Sequence, residues 1–148
     1  MYKETLNIVL VDDDKDDRTF FQEAIEEINI DTNLSMFTNG QDFLDYITIP
    51  NQKLPQIVFL DLNMPIKNGL ECLQEIKARN LLDKLSVAIY STSSSEKDIE
   101  NTFVLGANIY INKPSSFKKL KKVVEDVLRM NWQYHTSNLN RETFLLRL

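Results

Sequence analysis

Five short apolar runs, near residues 6–11, 33–37, 56–60, 86–91 and 108–112, are each followed by a segment with helical spacing. That alternation constrains the fold more than any other feature of the 148-residue chain. Parallel strands need right-handed crossover connections, so the pattern predicts an α/β domain, a doubly wound five-stranded parallel sheet with helices on both faces. The run Ile57-Val58-Phe59-Leu60 is wholly apolar, as a strand covered on both faces requires.

The helical segments carry the stripes that would cover such a sheet. Phe20, Phe21, Ala24, Ile25 and Ile28 line one face of the first, with Asp16, Asp17, Glu23, Glu26 and Glu27 mostly off it. Phe43, Leu44 and Ile47 mark a second helix over Gly40 to Ile49, and Leu70, Leu73 and Ile76 a third over Asn68 to Asn80. A fourth is predicted from Ser95 to Leu105, with Gly106 ending it as a left-handed cap. The fifth begins after Pro114-Ser115 and offers Phe117, Leu120, Val123, Val124, Val127 and Leu128 to the core.

At this length the chain is one domain, since about 150 residues bury roughly 70% of their unfolded surface. The domain is expected over residues 1–130. Residues 131–148 are expected to be a C-terminal extension with no separate output domain. Trp132, Tyr134, Leu139, Phe144, Leu145, Leu146 and Leu148 make that extension too apolar for an unattached tail, so it either folds back on the domain or makes a dimer or partner contact. No apolar stretch approaches the roughly 20 residues that span a bilayer, and Met1 to Thr5 lead into strand-like sequence without a signal peptide's apolar core, so a cytoplasmic location is expected. A net charge of −5 opposes binding to nucleic-acid phosphates and favours a protein or small-ion partner. The single cysteine, Cys72, reads as a packed side chain, with no histidine nearby to activate it.

Strand ends deliver the chemistry. Ligands of doubly wound sheets gather outside the carboxyl ends of the strands, and Asp12, Asp13, Asp14, Asp61, Ser91 and Lys113 all fall there. Carboxylates in one crevice repel one another unless a cation neutralises them, and an oxygen-only donor set suits a hard ion such as Mg²⁺. Lys113 adds a charge that could pair with Asp61 or with a phosphoryl oxygen, and Ser91 adds a hydroxyl. Asp14, Asp16 and Asp17 are accounted for as the cap and first turn of a helix, favoured by its dipole.

Two other sites fit poorly. Asp12, Asp14, Asp16 and Glu23 sit at positions 1, 3, 5 and 12 of a calcium-binding EF-hand loop, but Asp17 stands where the sharp turn needs glycine, and a strand precedes the loop. A flavin phosphate would be repelled by Asp12-Asp13-Asp14.

Taken together these residues resemble the receiver domain of a two-component response regulator over about residues 5–130. The resemblance rests on Asp12-Asp13, on Asp61-Leu62-Asn63-Met64-Pro65 followed by Asn68-Gly69, on Ser91, on Gly106-Ala107, and on Tyr110 with Lys113-Pro114. It implies a flavodoxin-like (βα)5 fold with strand order 2-1-3-4-5. Asp61 would accept a phosphoryl group from the phosphohistidine of a sensor histidine kinase or a histidine phosphotransfer protein, with Mg²⁺ or Mn²⁺ as cofactor. Asp13 and Asp61 would hold the metal directly, Asp12 through water and Asn63 through its backbone carbonyl. Lys113 and Ser91 would bond phosphoryl oxygens. Ser91 and Tyr110 would form the switch, the ring of Tyr110 turning inward and remodelling the fourth helix, fifth strand and fifth helix for a downstream protein target. Such a protein is not an enzyme beyond self-phosphorylation from a small phosphodonor and slow loss of the group.

Departures from the family pattern carry their own expectations. Ser91 replaces the commoner threonine and loosens the switch, Ser115 stands where an aromatic is frequent, and Thr92 is bulkier than usual and slows access. The Lys113–Pro114 bond is expected to be cis. Neither Asn63 nor Ser93 supplies an acid for rapid hydrolysis. Asp12 to Asp17 and Phe37-Thr38-Asn39-Gly40 are most similar to stand-alone regulators, including those paired with bacterial phytochromes. The alternative is an aspartate-nucleophile phosphohydrolase, suggested by Asp61-Leu62-Asn63 but lacking the second acid and any large cap insertion.

Overall fold

A computed structural model of the protein describes residues 5–130 and 144–146. Chain order runs β1 (Leu6–Val11), α1 (Lys15–Glu27), β2 (Thr32–Phe37), α2 (Gly40–Ile47), β3 (Ile57–Leu60) and α3 (Gly69–Ala78), then β4 (Ser86–Ser91), α4 (Glu96–Val104), β5 (Ile109–Asn112), α5 (Phe117–Arg129) and β6 (Leu145–Leu146). The sheet is parallel with order β2-β1-β3-β4-β5-β6. The first five strands thus take the expected order 2-1-3-4-5, and no described helix is long and apolar enough to cross a membrane.

Alternate strand residues feed two cores. Val9, Val11, Val58, Leu60, Val87 and Ile89 pack against α2, α3 and α4, whereas Ile8, Leu10, Ile57, Phe59, Ala88 and Tyr90 pack against α1 and α5. This explains why β3 reads as an unbroken apolar run and β4 as one between Ser86 and Ser91: every residue of both strands is buried. Each helix start is fixed by a side-chain cap. The carboxylate of Asp14 accepts from the Asp17 N–H, and Asn39, Asn68, Ser95 and Ser116 each accept from the N–H three residues on. Gly106 has φ +97° and turns the chain out of α4, as its sequence position predicts.

Three details differ from the sequence reading, and a fourth bears on an alternative it left open. Phe20 is 38% exposed, because α1 presents a wider apolar stripe than the sheet covers, and its ring meets Phe117 edge-on at 5.4 Å. The second helix ends at Ile47, leaving Ile49 exposed. The Lys113–Pro114 bond is trans, the form that X–Pro bonds favour by about 0.5–1 kcal/mol. Within the extension, Phe144 is buried and Leu145–Leu146 add a short parallel edge strand to β5, so this part folds back on the domain. Trp132, Tyr134, Leu139 and Leu148 lie outside the described residues.

Candidate functional site

Two strands end side by side and each continues its ladder by one acid. The Asp12 N–H donates to the Phe37 carbonyl and the Asp61 N–H to the Val11 carbonyl, both at 3.0 Å, which seats Asp12 and Asp61 as buried carboxylates at adjacent strand ends. Asp13, one residue further out, is exposed. A carboxylate oxygen from each of Asp12, Asp13 and Asp61 lies within 4.8 Å of the others.

Lys113 enters from the end of β5, tied down where its N–H donates to the Ser91 carbonyl at 2.8 Å. Its ammonium, 9% exposed, lies 2.8 Å from Asp17 Oδ2, 2.9 Å from Asp12 Oδ2 and 3.5 Å from Asp61 Oδ2. It also sits 5.2 Å from the centre of the Tyr90 ring. Burial works to lower the affinity of this ammonium for its proton, but the carboxylates of Asp17, Asp12 and Asp61 outweigh it, so the group is held above the ordinary lysine range. Burial pushes the Asp61 carboxyl up to about 6. The Lys113 charge opposes that rise, Asp12 adds to it, and the backbone N–H groups of Asn63 and Leu62 pull it down. Asp12 is raised in the same direction, again chiefly by burial.

A cation fits this donor set. Asp12 Oδ1 accepts from the Asp14 N–H at 3.0 Å, and Asp12 Oδ2 is buried with the Lys113 ammonium, at 2.9 Å, as its one close partner among the described residues. A buried carboxylate oxygen left in that condition, beside two further carboxylates, suits a hard divalent ion of the Mg²⁺ or Mn²⁺ kind. Asn63 lies on the exposed turn two residues past Asp61.

The remaining predicted residues form a second layer. Ser91 is buried at the end of β4, and its hydroxyl oxygen accepts from the Ser93 N–H at 3.1 Å. The Tyr110 hydroxyl donates to the Ser93 carbonyl at 2.8 Å. Tyr110 therefore connects to Ser91 through one residue. Its ring is already buried, closed in by Phe144 at 6.1 Å, which in turn meets Phe103 of α4 at 5.3 Å. The folded-back extension thus supplies a packing partner for the buried Tyr110 ring. Thr92 stands exposed beside Ser91.

Sequence reasoning assigned Asp17 only to the first turn of a helix and did not single out Tyr90; both touch Lys113. The available signal for Asp17 was its place five residues past Asp12, at the start of a helix that must pass the strand ends. Gly69 is a further support. A Cβ there would stand 2.1 Å from the Asp61 carbonyl oxygen and 2.7 Å from Leu62 Cα, so only glycine lets α3 approach the strand end that carries Asp61. Gly69→Ala is expected to lower stability by at least about 1–3 kcal/mol, the usual cost of overpacking, measured by urea denaturation. An unchanged denaturation midpoint would show that the helix can withdraw freely.

Comparison with known proteins agrees with this geometry. The response regulator Rcp1 of Synechocystis is 32% identical over 124 residues, spanning 81% of this chain and 84% of that protein. The crystal structure of the phosphorylated cyanobacterial phytochrome response regulator RcpA matches with a TM-score of 0.77 at 29% identity, covering 93% of this chain and 98% of that one. The Mn²⁺-bound form of Rcp1 matches with a TM-score of 0.74 at 29% identity, over 91% and 97% of the two chains. Residues 8–125, which contain every strand-end group described above, match the family model for the response regulator receiver domain, and the chain belongs to that family.

Proposed function

We propose that this protein is a phosphorylation switch in which Asp61 accepts a phosphoryl group from the phosphohistidine of a sensor histidine kinase or a histidine phosphotransfer protein. One observation carries the reading: Asp61 is a buried carboxylate with an ammonium at 3.5 Å and two further carboxylates within 4.8 Å. In the transfer an Asp61 oxygen attacks phosphorus, a new O–P bond forms, and the P–N bond breaks with its electron pair returning to the imidazole. Charge builds on the equatorial phosphoryl oxygens, so positioning and electrostatics dominate the barrier. Lys113 supplies one positive charge to those oxygens and the Ser91 hydroxyl donates to another. Asp13, Asp61 and the Asn63 carbonyl, with Asp12 through water, would hold Mg²⁺ or Mn²⁺, which would supply the charge that offsets carboxylate and phosphoryl repulsion. The solved relatives, one phosphorylated and one with Mn²⁺ bound, support this assignment.

The readout runs through backbone and ring contacts. Drawing the Ser91 hydroxyl toward the phosphoryl group takes it from the Ser93 N–H, and Ser93 is the residue whose carbonyl holds Tyr110. A changed Ser93 loop alters the face built from α4 and β5, where a downstream protein binds. Incubation with Mg²⁺ and acetyl phosphate, followed by intact mass, tests the proposal. Wild type is expected to gain the mass of one phosphoryl group, and Asp61→Asn none. Absence of an adduct on wild type would sink the switch reading, whereas rapid steady hydrolysis of phosphate esters would favour a phosphohydrolase.

A further inference from the structure

We propose that Asp17 is a positioning residue for the phosphoryl transfer: it holds the Lys113 ammonium to one side of Asp61 before transfer and yields it to the phosphoryl oxygens afterwards. The inference deepens the phosphoacceptor reading and rests on it. Of the three carboxylates around Lys113 Nζ, Asp17 is the nearest at 2.8 Å and Asp61 the farthest at 3.5 Å. Asp12, at 2.9 Å, and Asp17 together seat the ammonium off the attacking group, to which it makes only a long hydrogen bond. Asp17 does not belong to the three carboxylates that converge within 4.8 Å, so its charge acts on Lys113 rather than on the metal position.

The local backbone leaves Asp17 free for this task. An acid at the third position of a helix commonly turns back to accept from the N–H of the capping residue. Here the Asp14 N–H donates instead to Asp12 Oδ1, while Asp14 still caps by accepting from the Asp17 N–H at 2.9 Å. Asp17 is thus anchored through its backbone, and its carboxylate is released to meet a lysine 96 residues away.

The consequence concerns the ground state. An ammonium seated directly on the Asp61 carboxylate would occupy the lone pairs needed for attack and stabilise the reactant more than the transition state. A partly exposed carboxylate can draw Lys113 aside at little cost and release it when the stronger charge of a phosphoryl group arrives. Asp17 is 38% exposed, against 9% for Lys113, which fits a partner that is exchanged rather than kept.

The test follows single-turnover adduct formation with saturating Mg²⁺ and varied acetyl phosphate. In that reaction an Asp61 oxygen bonds to phosphorus and acetate leaves with the electron pair. Asp17→Asn is expected to lower the maximal rate roughly three- to fivefold, the scale of a partly exposed ion pair, with the half-saturating donor concentration unchanged. Asp17→Glu is expected to restore most of the rate. Asp16→Asn removes the same charge from the same helical turn without touching Lys113, and is expected to leave the rate at the wild-type value. In a Lys113→Met background, Asp17→Asn is expected to be silent. Equal slowing by Asp16→Asn and Asp17→Asn, no slowing by Asp17→Asn, or undiminished slowing in the Lys113→Met background would each overturn the inference alone. Failure of wild type to form any adduct would overturn the phosphoacceptor reading and this inference with it.

Discussion

Lys113→Ala is expected to lower the stability of the metal-free protein by about 3–5 kcal/mol at pH 7, with a reduced urea midpoint and an unchanged slope. The ammonium faces three carboxylates, two of them buried, and Asp12 Oδ2 has no hydrogen bond to fall back on. Truncation leaves those charges facing one another, with Asp12 and Asp61 buried. The deficit is expected to shrink when Mg²⁺ is added, because a divalent ion replaces the lost positive charge. It is also expected to shrink on acidification, because Asp12 and Asp61 already hold their protons more tightly than free carboxylates and do so further without Lys113. Lys113→Arg is expected to rescue poorly, since a planar guanidinium does not fit a slot that leaves the ammonium 9% exposed. A loss below about 1 kcal/mol would show that the acids do not depend on this lysine.

Which parts of this arrangement could be read from the chain depends on whether their cause is local. β3 and the Val87–Tyr90 interior of β4 were legible because burial on both faces favours apolar residues throughout the run, a signal that needs no partner to be seen. Asp12 and Asp61 were legible because few structural roles call for a carboxylate at the end of such a strand. Ser91 and Tyr110 stand in predicted strands, but the packing of the Tyr110 ring against Phe144 is not legible, since a stretch without period separates the two. Asp17 was obscured by its neighbours: among Asp14, Asp16 and Asp17 a cap and a helix dipole account for any acid, and only the tertiary contact with Lys113 separates one from the rest. The two-residue edge strand β6 is too short to carry a pattern at all.

Asp61→Asn is expected to abolish phosphorylation and at the same time to stabilise the metal-free protein by up to about 3 kcal/mol at pH 7.5. The sign comes from linkage. The Asp61 carboxyl sits at about 6 in the fold against a reference of 3.8, so between those values the native state binds more protons than the unfolded one. Stability contributed by this group is therefore lost as pH rises through that window, and the full cost, roughly 1.4 kcal/mol for each unit of displacement, is in place above it. Asp12 shifts in the same direction and adds to the slope. Metal-free wild type is accordingly expected to gain roughly 1–2 kcal/mol from Asp61 between pH 7.5 and pH 5, and asparagine at that position to remove this part of the gain. Excess Mg²⁺ is expected to raise the wild-type midpoint at pH 7.5 more than that of the variant, because the ion binds the folded acids and the substituted amide carries no charge. Urea titrations at both pH values, with and without Mg²⁺, measure all four quantities. A variant less stable than wild type at pH 7.5 without metal would mean that Lys113 compensates Asp61 fully. The opposite result ties the proposed function to a standing cost: the carboxylate proposed to receive the phosphoryl group is destabilised, by burial and by Asp12, until a proton or added positive charge relieves it.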